Sequence, residues 1–152
     1  MNLLQNITPL SLEFPDDESD KQVFIEAYLC EQCSSAPRHA RVYWVNGHLV
    51  RQVVQLECRG YMYKEPNILE AQSTSAVIAR YPMGTFTRDQ REQILEMASE
   101  IDIHEATTKR MFPKDLPRVW TRKLLKTMQY EGLLPLTDFL AILDFVLPPE
   151  HA

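Results

Sequence analysis

Glycine is scarce in this chain: four residues in 152. That excludes the glycine-rich turns that cradle phosphates, and no GxGxxG, P-loop or GxSxG pattern is present. Long hydrophobic runs are also missing. The longest, Phe139–Leu147, is interrupted by Asp144 and falls well short of the ~20 residues that span a bilayer. Three cysteines are too few and too odd in number for a disulfide framework. Met1–Leu12 carries neither a basic start nor a sustained apolar core, so the expected setting is the reducing cytoplasm. Histidine-based zinc chemistry finds no complete motif: His104-Glu105-Ala106-Thr107-Thr108 begins like HExxH but has threonine at the second histidine position.

What is present describes a globular domain. Hydrophobic residues make up 45% of the chain, enough to build a core without metal or disulfide staples. Ten prolines punctuate apolar segments, and no internal repeat or low-complexity tract is visible. Residues 1–20 read as an irregular entry in which Asp16, Asp17, Glu18 and Asp20 form a solvated acidic loop. Gln22–Cys30 reads as a strand. Arg38–Val45 and His48–Cys58 flank Asn46-Gly47, the strongest short hairpin signal a sequence offers. Ser75–Tyr81 reads as a further strand closed by Pro82.

After Gly84 the periodicity becomes helical. Thr87-x-x-Gln90 is a capping box, followed by Ile94, Leu95, Ala98 and Ile101 at helical spacing. Leu116, Trp120, Leu124 and Met128 recur every four residues after a helix start marked by Pro117, and Gly132 is a natural stop. Leu136–Leu147 reads as a third helix, apolar on more than one face, which makes it either the central core helix or a homodimer interface. The expected fold is therefore α+β. A mainly β part (1–84), with a small antiparallel sheet, packs on a helical part (85–152) of about three helices in one compact domain.

The only place where spacing implies converging reactive side chains is Cys30-x-x-Cys33 with Cys58. With a two-residue loop at Asn46-Gly47, Val45 pairs with His48, and the same register sets Cys58 opposite Ser35, beside the CxxC. Thiolates gathered in this way suit zinc. This stretch, about 28–63, resembles a zinc ribbon: one knuckle, one hairpin (about 38–58) and one further cysteine. The resemblance implies a ribbon-like hairpin and zinc held by Cys30, Cys33 and Cys58. Tyr61 stands where a ribbon has its fourth ligand. His48 cannot replace it: at the tip it lies ~34 Å from Cys58 at strand rise. His39, expected opposite Val54 and so four residues or ~13 Å from Cys58, is excluded unless the strand breaks early. The bland alternative is that the three cysteines are small buried hydrophobes.

Charge is unevenly spread. The chain carries −5 overall, yet Lys109–Lys126 holds seven basic residues and one acid, a net +6. Arg118, Arg122 and Lys126 fall on the helix face opposite Trp120, preceded by Lys109, Arg110 and Lys114. Cations spaced one turn apart suit an acidic protein surface or phosphates, although a solvated helix face is the commonest meaning of such a run. Tyr43, Trp44 and His48, expected near the hairpin tip, offer protruding aromatics for a protein interface. The sequence thus points to a non-enzymatic, regulatory protein that binds a protein partner, with no membrane attachment. A nucleic-acid-binding regulator using segment 109–126 and a metal- or thiol-dependent enzyme are the alternatives.

Overall fold

The computed structural model describes residues 13–29, 38–47, 50–59, 62–64, 68–71, 77–101 and 116–148. Its strands are β1 (Lys21–Leu29), β2 (Arg38–Gly47), β3 (Val50–Val54), β4 (Glu57–Arg59), β5 (Met62–Lys64), β6 (Ile68–Ala71) and β7 (Val77–Phe86). Its helices are α1 (Arg88–Glu100), α2 (Leu116–Tyr130) and α3 (Leu136–Phe145). Five strands form one antiparallel sheet in the order β6-β3-β2-β1-β7, and β4 pairs with β5 in a separate ribbon. The α+β expectation holds at this level.

Strand alternation assigns two faces to the large sheet. Val23, Ile25 and Ala27 of β1, Ala40, Val42 and Trp44 of β2, Val54 of β3 and Ala79 and Met83 of β7 join the helices in a single hydrophobic cluster. The helices contribute Ile94, Ala98, Trp120, Leu124, Leu125, Met128 and Ile142. The other face carries Phe24, Glu26 and Tyr28, with Arg41, Tyr43, Arg51 and Arg80 placed around them by register. That polar face is the unusual part of the molecule.

The hairpin exists, but its register differs from the expected one. Val45 pairs with Arg51, not His48, and Trp44 pairs with Gln52. Strand β2 continues through Gly47, with a register shift between Val45 and Gly47. Gly47 does not have the positive φ that an Asn-Gly turn requires; among the described glycines only Gly84 and Gly132 do. Its role is steric. A Cβ on Gly47 would lie 2.7 Å from Phe14 Cδ1, so glycine admits the Phe14 ring against the strand. The turn residues His48 and Leu49 lie outside the described residues.

Strand β7 does not close at Pro82 but runs on to Phe86. Proline is tolerated because β7 is an edge strand. The pairing with β1 slips between Val23 and Phe24, opposite Gly84 and Pro82, which skips Met83. Gly84, at φ 128, accommodates that irregularity.

The helix boundaries follow their caps. Thr87 Oγ1 accepts from Gln90 N at 3.2 Å, and Gln90 Oε1 accepts from Thr87 N at 2.9 Å, the complete capping box. Gly132, at φ 81, ends α2 with backbone hydrogen bonds returning to Met128 and Gln129. Helix α3 is tied to the sheet in its first turn, where Tyr81 Oη donates to Asp138 Oδ1 at 2.5 Å. Among the described residues no helix is long and apolar enough to cross a membrane.

Candidate functional site

Two regions bear on function: the polar sheet face and a groove between α1 and α2. The sheet face centres on Glu26, which is wholly buried. Its register neighbours are Arg41 on β2 and Arg80 on β7. Glu26 Oε1 accepts from Arg41 Nε at 2.8 Å and from Arg51 Nη1 at 3.0 Å. Oε2 accepts from Arg80 Nη2 at 3.1 Å and Nε at 3.3 Å. Burial alone would raise the Glu26 pKa. The hydrogen bonds and charges of Arg41 and then Arg51 outweigh it and hold the carboxyl below its ordinary value.

Aromatic rings fix the guanidinium planes. Arg41 lies 4.2 Å from the Tyr28 ring centre and Arg51 4.5 Å from that of Tyr43. Tyr43 stacks on Phe24 at 5.3 Å, and the Tyr28 hydroxyl donates to Gln55 Oε1 at 2.9 Å. Burial, followed by the negative charge of Glu26, raises the Tyr43 pKa, so its hydroxyl stays protonated at neutral pH. Among the described residues, one carboxylate thus faces three guanidinia.

The groove lies on the helical side. Met97, Glu100 and Ile101 at the end of α1 face Lys123, Lys126 and Thr127 of α2 across a space of about 490 Å³, with Tyr130 at its end. Tyr130 is 84% exposed, and Leu136, Leu140 and Phe145 of α3 are exposed as well. The expectation of apolar residues on more than one face of α3 therefore describes a helix with Ile142 in the core and leucines in solvent.

Several residues picked from sequence are placed differently. Tyr43 and Trp44 are not at a protruding tip; both are buried, Trp44 completely. They sit in β2, between β1 and β3 and away from either sheet border. Arg118 is not a surface cation either. It is buried, and its guanidinium donates to the Pro148 carbonyl. The buried arc of α2 includes Thr121 and Leu125 as well as Trp120, Leu124 and Met128, wider than the four-residue stripe implied, and Arg118 lies on its edge. Arg122 and Lys126 are exposed as expected. Lys109, Arg110, Lys114 and His48 lie outside the described residues.

The register argument for the cysteines does not hold. Strand β3 ends at Val54, and Cys58 belongs to β4, where it pairs with Tyr63 of β5. Cys58 therefore lies beyond the β2–β3 pairing on which that argument rests. Cys30, Cys33 and the side chain of Cys58 lie outside the described residues. Among the described residues no group of three His, Cys, Asp or Glu side chains is placed to hold a metal. The acidic entry is also more than a solvated loop: Asp16 pairs with Lys21 at 2.7 Å and with buried Arg91 at 2.8 Å.

The sequence reading missed Glu26, Arg41, Arg51 and Arg80. A signal was available: charged residues at Glu26, Arg41 and Arg51 lie inside strands rich in valine and aromatics. Charges within such runs need partners on neighbouring strands. Comparison of the chain with protein-family models, with curated proteins and with solved structures finds no match in any of the three.

Proposed function

We propose that this chain is a non-enzymatic binding protein that engages an acidic segment of another protein in the α1–α2 groove. The observation that supports this most directly is the combination there of an apolar floor, a cationic wall and an unburied aromatic. Met97 and Ile101 are half-buried, Lys126 is exposed, and Tyr130 stands 84% exposed at the end. Arg122, one turn before Lys126 and also exposed, extends the cationic wall. An exposed tyrosine beside an apolar hollow is the composition of an interface anchor. The reading keeps the cytoplasmic setting expected from the sequence.

The test compares proteins captured by the tagged wild-type chain with those captured by Lys126→Glu and Tyr130→Ala. A partner retained by the wild type and lost by both variants, at unchanged melting temperature, is the expected result. Equal recovery by all three sinks the groove. Fluorescence anisotropy with DNA and RNA at low salt separates the nucleic-acid alternative. That alternative requires affinity that falls steeply with added salt.

A second copy of the chain is a further partner suggested by α3. Leu136 and Leu140, one turn apart, are 55% and 51% exposed. A dimer mass in solution that reverts to monomer in Leu140→Glu is the expected result for this reading. Elemental analysis of the same sample tests the zinc expectation, with bound zinc lost in Cys30→Ser as the supporting outcome.

A further inference from the structure

We infer that the Arg51 end of the sheet-face cluster is an oxyanion-binding site, taking the carboxylate or phosphate group of a small ligand. This site lies on the face opposite the helices and does not depend on the groove. Arg51 is 4% exposed. Its Nη1 donates to Glu26 at 3.0 Å, while its Nε and Nη2 are buried without a hydrogen-bond partner. These two nitrogens form one edge of the guanidinium, the edge that offers two parallel N–H donors to a carboxylate or phosphate. The Tyr43 ring, 4.5 Å from the guanidinium carbon, holds its plane.

Among the described residues, Glu26 is the carboxylate that Arg41, Arg51 and Arg80 share. A buried guanidinium with an unused donor edge is costly unless something fills it. A ligand oxyanion satisfies those donors. Arg80, with its side chain 49% exposed, places a second cation of the cluster at its solvent edge. Register sets Glu70 of β6 opposite Arg51, which makes Glu70 the internal competitor that an experiment must separate from a true ligand.

The experiment is calorimetric titration of the full chain with inorganic phosphate and, separately, with succinate, each against chloride at matched ionic strength. Saturable binding of at least one is expected, and comparing the two tells phosphate from carboxylate preference. Arg51→Lys keeps the charge but removes the two-donor edge, and should weaken binding by about tenfold or more. Arg80→Gln, at a half-exposed position, should weaken it several-fold and serves as the readout if Arg51→Lys does not fold. Glu70→Gln should bind as tightly as the wild type or more tightly. No saturable binding, equal binding by wild type and Arg51→Lys, unchanged binding by Arg80→Gln, or binding that appears only in Glu70→Gln would each overturn the proposal.

Discussion

Arg91 and Arg51 are both buried, both meet a carboxylate, and differ in what remains of their donors. Arg91 is fully buried on α1, and each of its nitrogens is engaged. Nε and Nη2 grip Asp16 at 2.9 and 2.8 Å, Nη1 donates to the Phe86 carbonyl at 2.8 Å, and Nη2 also reaches the Asp17 carbonyl at 2.9 Å. This is a clasp. It fastens the acidic entry segment and the end of β7 to the first helix. Arg51 engages one nitrogen and leaves two buried without a partner. A satisfied buried charge belongs to the architecture, whereas an incompletely satisfied one raises the question of what completes it.

The strongest test of this contrast is Glu26→Gln. It leaves three guanidinia around a neutral amide, and should cost about 3–5 kcal/mol in urea unfolding, as breaking a buried pair does. Next is Arg91→Met, expected to cost about 2–3 kcal/mol, less than a wholly buried pair because Asp16 keeps Lys21. Thr87→Ala, which uncaps the helix carrying Arg91, should cost about 1 kcal/mol. The smallest effect is expected for Arg51→Met. Arg41 and Arg80 still neutralise Glu26, the unused donors disappear, and stability should stay within about 1 kcal/mol of wild type. If Arg51→Met costs as much as Arg91→Met, the contrast between clasp and incomplete cluster is void.

Acid sharpens the same comparison. For Asp16, burial would raise the pKa, but hydrogen bonds from Arg91 and Lys21 bring it below the ordinary value, and Glu26 is likewise lowered. A carboxyl whose pKa is lower in the folded state stabilises the fold above its unfolded pKa, near 4. That contribution disappears as pH falls through the lowered folded value. Stability followed by circular dichroism should therefore be level near neutrality and fall below about pH 4. Asp16→Asn should be less stable at pH 7 and show a shallower acid limb.

The helical half of the fold was readable because its signals are local. The capping box at Thr87 and Gln90, the core positions Ile94, Trp120, Leu124 and Met128, and the stop at Gly132 depend on residues within a turn or two of one another. The strand at 22–30 was readable for the same reason. The hairpin register was not, because Gly47 answers to Phe14, more than thirty residues earlier in the chain. An Asn-Gly pair chosen for close packing looks the same in sequence as one chosen for a turn. The cysteine argument inherited that misplacement. The polar cluster was hidden for a related reason: Glu26, Arg41, Arg51 and Arg80 lie on four strands, and only pairing brings them together.

The irregular stretch of β7 has a consequence for how the molecule behaves in a crowd. An open strand edge is a template on which another chain can polymerise. Here Pro82 has no N–H to offer a neighbouring strand, and the pairing slips between Pro82 and Gly84. A foreign strand arriving at β7 would lose its register within a few residues. Growth of the sheet by strand addition is therefore discouraged at this border, whereas β6, on the opposite border, carries no proline between Ile68 and Ala71.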